Sequence, residues 1–152
     1  METGTETLEV GPAAADSWAL LRSLFGLQRR RFLIAASELD LHPAQAGALL
    51  QLGAPLPMNE LAYRLACDNS NVTGLIDRLE ARGLVVRRPS FDDRRVKHVV
   101  LTDAGRELRE RMLEHVARPT PGFERLTEAE QLQLAGMLRR ILDDDPGGID
   151  IT

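Results

Sequence analysis

The stretch NVTGLIDRLEARGLVVRRPSFDDRRVKHVVLT, residues 71–102, decides the fold of this chain. Its first half places apolar residues at positions 72, 75, 76 and 79, the spacing of a helix with one buried face, and Gly83 follows as a C-terminal stop. Its second half contains two short β-branched segments, LVVRRP and VKHVVLT, around PSFDDRR. The pattern predicts a helix followed by a two-stranded β-hairpin with a long charged tip.

Another short helix is predicted immediately before this one. Asn59 is placed to cap it, and the DNSN run at residues 68–71 provides a tight turn and a cap for the helix that follows. The apolar side of the first helix consists of Leu61, Ala62, Leu65 and Ala66. Two short helices joined by a few polar residues indicate a helix-turn-helix, and the added hairpin makes a winged helix.

The segment before the helix-turn-helix is also predicted to be helical. From Asp16 to about Leu39, apolar residues mark two faces of one long helix, which therefore needs two neighbours. Pro43 then begins a second helix as a first-turn residue, until Gly53 and the APLP segment break it. Residues 1–15 are rich in Gly, Thr, Glu and Ala and are expected to be disordered.

Two more helices are predicted after the hairpin. Thr102 caps a helix that extends to about Arg118, and Thr127 forms a capping box with Glu130 at the start of the last helix, which has an apolar face. Residues 143–152 are expected to form a flexible acidic tail. The predicted fold class is mainly α with a small β-hairpin wing, in a single domain over residues 16–142.

The charge distribution favours an anionic partner for the middle of the chain. The 152 residues have a formal net charge of −4, but residues 64–111 contain 11 basic and 8 acidic residues. A local basic region can bind nucleic acid even when the net charge of the whole protein is negative.

A winged helix offers two surfaces to double-stranded DNA. The polar face of the second helix can reach base edges in the major groove, and arginines at the wing tip can enter the minor groove. Asp92 and Asp93 are expected to pair with Arg94 or Arg95 and to orient them. The predicted DNA contacts are Ser70, Asn71, Thr73 and Arg78 from the helix, and Arg94, Arg95 and Lys97 from the wing.

Three segments resemble one family. The segment DDRRVKHVVLTDAG resembles the wing signature of the MarR family of winged-helix transcription regulators. NVTGLIDRLEARGLVVR, residues 71–87, resembles the recognition helix and first wing strand of that family, and NELAYRLA resembles the helix before it. The signature residues are Asp93, Arg95, Leu101, Thr102 and Gly105.

The resemblance implies a homodimer that reads a pseudo-palindromic operator. The DNA-binding lobe would cover about residues 43–101, and the dimerisation helices residues 16–39 and 103–142. Many family members are repressors that a small phenolic or anionic effector releases from DNA. Gly74 departs from the larger, commonly basic residue found there in relatives, which leaves the contact from that position open.

The resemblance also implies an effector crevice between the dimerisation helices and the winged helix. Trp18, Arg22 and Phe25 of the first helix and His42 at the start of the second are the candidate lining residues. The two aromatic side chains could equally pack in the core or in the dimer interface.

The sequence gives less support to other classes of function. No nucleophile elbow, P-loop, Rossmann glycine run or paired-acid motif points to an enzyme, and no cofactor or metal site is expected. A winged helix used only for protein contacts, and a thiol sensor based on Cys67, remain alternatives. Arg78 could pair locally with Asp77 or Glu80 instead of contacting DNA.

The sequence also predicts where the protein acts. A single cysteine, an acidic amino terminus and the lack of a long apolar run favour the cytoplasm over a membrane.

Overall fold

A computed structural model describes residues 11–90 and 95–142 and has the predicted mainly helical architecture with a small sheet. The elements in chain order are α1 (Pro12–Glu38), α2 (Pro43–Gln51), β1 (Leu56–Pro57), α3 (Met58–Arg64), α4 (Asn69–Ala81), β2 (Val85–Pro89), β3 (Lys97–Leu101), α5 (Asp103–Ala117), a 3-10 turn (Phe123–Arg125) and α6 (Glu128–Leu142). Across the described part of the chain, no helix combines the length and apolar character needed to cross a bilayer.

The first helix begins earlier than predicted. Residues 12–15 were expected to be disordered, but α1 begins at Pro12, and Gly11 is its extended N-cap residue. Proline suits the first helical turn because its φ is already helical. Backbone N–H groups in this turn have no acceptor within the helix, so the N–H that proline lacks is not needed there. The predictions for residues 1–10 and 143–152 lie outside the described residues.

The sheet has three strands rather than the predicted two. β1, within the APLP segment that was predicted only to break a helix, pairs antiparallel with β3, so the strand order is β1-β3-β2. Val99 lies in the central strand β3, where it pairs with Leu56 of β1 on one side and with Arg87 of β2 on the other. A proline is tolerated in β1 because this is an edge strand.

The cap of α3 was predicted wrongly, and the turn after this helix contains an unusual backbone angle. Asn59 lies inside α3, and Pro57 is the N-cap residue. After α3, Ala66 has a φ of 48°, in the left-handed region. The N–H groups of Ala66 and Cys67 donate to the carbonyl oxygens of Tyr63 and Ala62, at 3.0 and 3.1 Å, which ends the helix and directs the chain into α4.

The hydrophobic core lies between the helix-turn-helix, α2 and the buried face of the sheet. Its fully buried large residues include Leu49, Leu61, Ile76, Leu79 and Val99. Ala36 from α1 and Met112 from α5 reach the same core. The C-terminal half of α1 and the middle of α5 therefore support the winged helix directly.

Thr102 connects the wing to the segment that follows α4. Its hydroxyl donates to the carbonyl oxygen of Gly83 at 2.6 Å and accepts the backbone N–H of Gly105 at 3.1 Å. The predicted N-cap of α5 is therefore confirmed, and the same side chain also fixes the segment that follows α4.

The last helix is only lightly covered within one chain. The predicted capping box is present, because Glu130 accepts hydrogen bonds from both the backbone N–H and the hydroxyl of Thr127 at 2.8 Å. No residue of α6 is buried. Its exposed apolar side chains are Leu132, Met137, Ile141 and Leu142, and those of α1 are Trp18, Leu20, Phe25, Leu27, Leu33 and Ile34.

Candidate nucleic-acid interface

The predicted polar face of α4 is directed towards solvent. Ser70, Asn71, Thr73 and Arg78 are all exposed, whereas Val72, Leu75, Ile76 and Leu79 on the opposite side are buried. Burial of this apolar face fixes the rotation of α4 about its own axis. The helix therefore presents a polar surface of the right width for the major groove.

Two side chains on this face differ in their freedom to hydrogen-bond. The hydroxyl of Thr73 donates to the carbonyl oxygen of Asn69 at 2.9 Å, so it is partly engaged along the helix. The side chain of Asn71 has no hydrogen bond within residues 11–90 and 95–142. Asn71 is thus the better candidate for a base contact, because its amide both donates and accepts.

Asp77 and Glu80 pair with Arg87 of β2, a residue that was not among the predicted site residues. The guanidinium of Arg87 donates to Asp77 Oδ1 at 2.6 Å and also forms an ion pair with Glu80 Oε2. The backbone N–H of Arg87 donates to Glu80 Oε1 at 3.2 Å. The alternative in which these acids satisfy Arg78 is therefore not what the structure shows.

The pKa of Arg87 reflects this pairing. Partial burial lowers it, but the hydrogen bond to Asp77 and the charges of Glu80 and Asp77 outweigh the burial, so the pKa of Arg87 lies above its ordinary value. The guanidinium is therefore charged when it forms the two ion pairs at neutral pH.

Part of the wing lies outside the described residues. This applies to Asp92, Asp93 and Arg94, so their predicted roles stay predictions. Arg95, two residues before β3, and Lys97, the first residue of β3, are both exposed. Arg88, exposed at the outer end of β2, adds a basic side chain that the sequence analysis did not select.

The structure does not bring the four predicted effector residues together within one chain. Trp18, Arg22 and Phe25 are exposed on the N-terminal part of α1. His42 follows the C-terminal end of this helix and caps α2, where its Nδ1 accepts the N–H of Ala44 at 3.3 Å. Since a helix rises about 1.5 Å per residue, the 13 residues from Phe25 to Glu38 alone span roughly 20 Å. The sequence analysis placed Trp18, Arg22 and Phe25 on one face of a helix, but this placement gave no information on how far they lie from His42.

A groove of about 600 Å³ lies beside His42, between the end of α1, the start of α2 and the end of α4. Arg82 lines it and donates to the carbonyl oxygen of Asp40 at 2.7 Å and to Gln45 Oε1 at 3.3 Å. The sequence analysis missed Arg82 because it lies 42 positions from Asp40 along the chain.

Cys67 is half-buried at the end of the turn between α3 and α4. Within residues 11–90 and 95–142, no three His, Cys, Asp or Glu side chains come together in a way that could hold a metal ion.

Comparison with known proteins shows that the chain is similar to transcription regulators. The family model of the MarR family matches residues 49–97, from α2 to the first residue of β3. The chain is 33% identical over 93 residues to YkoM of Bacillus subtilis, an uncharacterised HTH-type transcriptional regulator, and this match covers 60% of each protein. It is 32% identical over 130 residues to the transcriptional repressor MdtR of Bacillus subtilis, with 84% of each chain covered. The chain thus spans about three fifths of YkoM and most of MdtR.

Solved structures show the same likeness over most of the chain. MarR from E. coli in complex with operator DNA, a cysteine-to-serine mutant, is similar with a TM-score of 0.61 and 27% identity, over 82% of this chain and 91% of that one. BpsR of Bordetella bronchiseptica, whose DNA binding is regulated by 6-hydroxynicotinic acid, is similar with a TM-score of 0.60 and 30% identity, over 84% of this chain and 93% of that one.

Proposed function

Because the chain belongs to the MarR family of winged-helix transcription regulators, we propose that it binds a specific double-stranded DNA operator as a homodimer and controls transcription from it. The observation that carries this proposal is the exposed polar face of α4 beside a basic wing, in a fold similar to that of MarR bound to operator DNA.

The proposed division of labour follows from the two surfaces. Asn71 and Thr73, with Ser70 and Arg78 beside them, read base edges in the major groove. The exposed wing residues Arg95 and Lys97, together with Arg94, bind phosphates and the minor groove next to it. Phosphate contacts set the register of the protein on DNA, and base contacts set the sequence.

The homodimer is supported by the apolar faces that one chain leaves uncovered. Trp18 and Phe25 are 57 and 59% exposed, and Ile141 of α6 is 63% exposed. Large apolar side chains left exposed in such numbers on two helices are typical of protein interfaces. A second copy of the chain would cover both helices by a symmetric contact, and two recognition helices would then face successive turns of one operator.

Repression with release by a small aromatic or anionic molecule is the proposed mode of control. MdtR is named a repressor, and 6-hydroxynicotinic acid regulates DNA binding by BpsR. In the present chain, Trp18, Arg22 and Phe25 would provide one side of an effector site that a second copy completes. His42 would belong to the separate groove that Arg82 lines. No catalytic role is proposed, and the site of action is the cytoplasm.

Selection of bound fragments from the source genome at fixed salt, followed by mobility shifts on the recovered duplex, tests the proposal. We expect one enriched sequence with inverted half-sites, and binding that weakens steeply with salt as phosphate contacts require. A protein that shifts no duplex at low salt would instead be a winged-helix module for protein contacts.

A further inference from the structure

The position of Arg87 in the sheet directs its side chain towards the recognition helix. Arg87 lies opposite the buried Val99, whereas the next residue, Arg88, lies opposite His98. Since successive side chains of a strand point to opposite faces, Arg87 lies on the core side of the wing sheet and Arg88 on the outer side. Arg87 is therefore a link between β2 and α4 rather than an ordinary basic residue of the wing.

The link holds an acidic residue on the surface proposed to meet DNA. Asp77 follows Thr73 by four residues and Ser70 by seven, which places all three on one face of α4. The side chain of Asp77 is 60% exposed. An unpaired carboxylate at this place would repel the phosphate backbone. The ion pair with Arg87 removes that repulsion and also fixes where the carboxylate lies.

One guanidinium also holds two points of α4 at once. Asp77 and Glu80 are three residues apart, about one helical turn, and the planar fork of Arg87 contacts both while its backbone N–H binds Glu80. The side chain of Arg87 is 21% exposed, whereas those of Glu80 and Asp77 are 39 and 60% exposed, so burial shields mainly the guanidinium end of these bonds. Two contacts along the helix resist a change in its tilt against the strand, which one contact would not do.

We propose that Arg87 is a positioning residue for DNA recognition: its clamp on Asp77 and Glu80 fixes the angle between α4 and the wing, so that both reach their adjacent grooves together. The inference rests on the proposed operator binding. Arg87 itself touches no DNA in this proposal, so it contributes to sequence discrimination through α4 and not through a phosphate contact.

The test compares Arg87→Gln and Arg87→Lys with the wild-type protein on two probes, a duplex recovered by in vitro selection and a shuffled duplex of the same composition. Arg88→Gln is the matched control, because it removes the same charge from the next residue on the outer face. Affinity is measured over a range of salt concentrations, and the melting temperature of each variant is recorded.

We expect both Arg87 variants to weaken binding to the selected duplex by about tenfold or more, since hydrogen bonds between charged groups are of that strength. Binding to the shuffled duplex should fall far less, because only the repulsion between the unpaired Asp77 carboxylate and the DNA phosphates acts there. Lysine should not restore affinity, because an ammonium group cannot span two carboxylates as a guanidinium does. Arg88→Gln should leave the ratio between the two probes unchanged.

Three results would overturn the inference. Equal losses on both probes with a salt slope reduced by about one would make Arg87 a phosphate contact. Full rescue by lysine would show that charge alone matters. An unchanged affinity ratio with a lower melting temperature would leave Arg87 a purely structural residue. Failure of the wild-type protein to select any duplex would instead refute the proposed function, which keeps the two ideas separate.

Discussion

Gly105 lies against the backbone of Leu84 so closely that a Cβ atom at position 105 would be 1.9 Å from the Leu84 carbonyl oxygen. The neighbour is backbone and not the end of a flexible side chain, so it cannot move aside without shifting the segment between α4 and β2. The glycine of the LTDAG motif is therefore required by the packing of α5 against the end of the recognition helix.

Replacing Gly105 by alanine should destabilise the protein by about 2 kcal/mol or more, because overpacking against fixed atoms forces the backbone apart. The free energy of unfolding from urea titration measures this. Gly136→Ala is the control: a Cβ there meets no atom within 4 Å, and alanine in the interior of α6 should stabilise by up to about 1 kcal/mol. A Gly105→Ala protein as stable as wild type would contradict the packing argument.

A charge on the apolar face of α6 should separate the proposed dimer. Light scattering should give about twice the 16.8 kDa chain mass for the wild-type protein and a shift towards one chain for Ile141→Asp, because burying an unpaired carboxylate is strongly unfavourable. Arg139→Asp puts the same residue on the opposite side of the helix and should leave the dimer intact. A folded wild-type monomer at micromolar concentration would refute the interface.

Asn71 and Lys97 should respond differently to alanine substitution. Asn71→Ala should weaken binding to the selected operator by about 1 to 3 kcal/mol and to shuffled DNA far less, whereas Lys97→Ala should weaken both and lower the salt slope by about one. Filter binding or anisotropy at several salt concentrations separates the two effects. Equal losses of both variants on both duplexes would contradict the assigned roles.

The start of α6 should loosen in acid. Hydrogen bonds from the backbone N–H and the hydroxyl of Thr127 hold the pKa of Glu130 below its ordinary value of 4.5. A carboxyl whose pKa is lower in the folded state stabilises that state above its unfolded pKa and loses this contribution as the pH falls through the folded value. The amide chemical shift of Thr127 should therefore titrate below about pH 4.5.

Two variants check the source of that titration. Glu130→Gln should abolish the response of the Thr127 amide, and Glu128→Gln, in the same helical turn, should leave it in place. A titration that survives Glu130→Gln would assign the effect to another group.

The single tryptophan, Trp18, offers a direct assay for the proposed effector site. If the proposed site exists, small aromatic acids should quench its fluorescence and weaken operator binding, and operator DNA should weaken effector binding by the same factor. Arg22→Gln should reduce the affinity for such acids if the guanidinium binds the carboxylate. Quenching with unchanged operator affinity would show a binding site without regulation.

Local periodicity was sufficient to predict much of the fold. The spacing of Val72, Leu75, Ile76 and Leu79 determined which side of α4 is buried, and the capping pattern of Thr127 and Glu130 marked the start of α6, because both depend on residues within two turns of each other. β1 was missed because two residues carry no alternation, and its pairing with β3 joins segments about 40 residues apart.

The candidate site was predictable only where it lies on one element. The exposed polar face of α4 followed from its sequence, whereas the link between Arg87 and Asp77 depends on how β2 packs against α4. The predicted effector residues do not come together within one chain for a related reason, and their role in binding an effector stays a prediction. A shared helix face indicates which side chains point the same way, but it does not indicate that His42 lies beyond the far end of α1.

The left-handed backbone of Ala66, between α3 and α4, has a consequence for how this protein can evolve. An L-residue in that conformation costs roughly 1 to 2 kcal/mol, and glycine, which carries only the entropic penalty of its own flexibility, would recover part of this. Substitutions that alter the operator preference of α4 are expected to lower stability, as most substitutions do. Changing Ala66 to glycine would compensate for part of one such loss of stability. The domain could then accept a destabilising substitution that changes its DNA specificity and still remain folded.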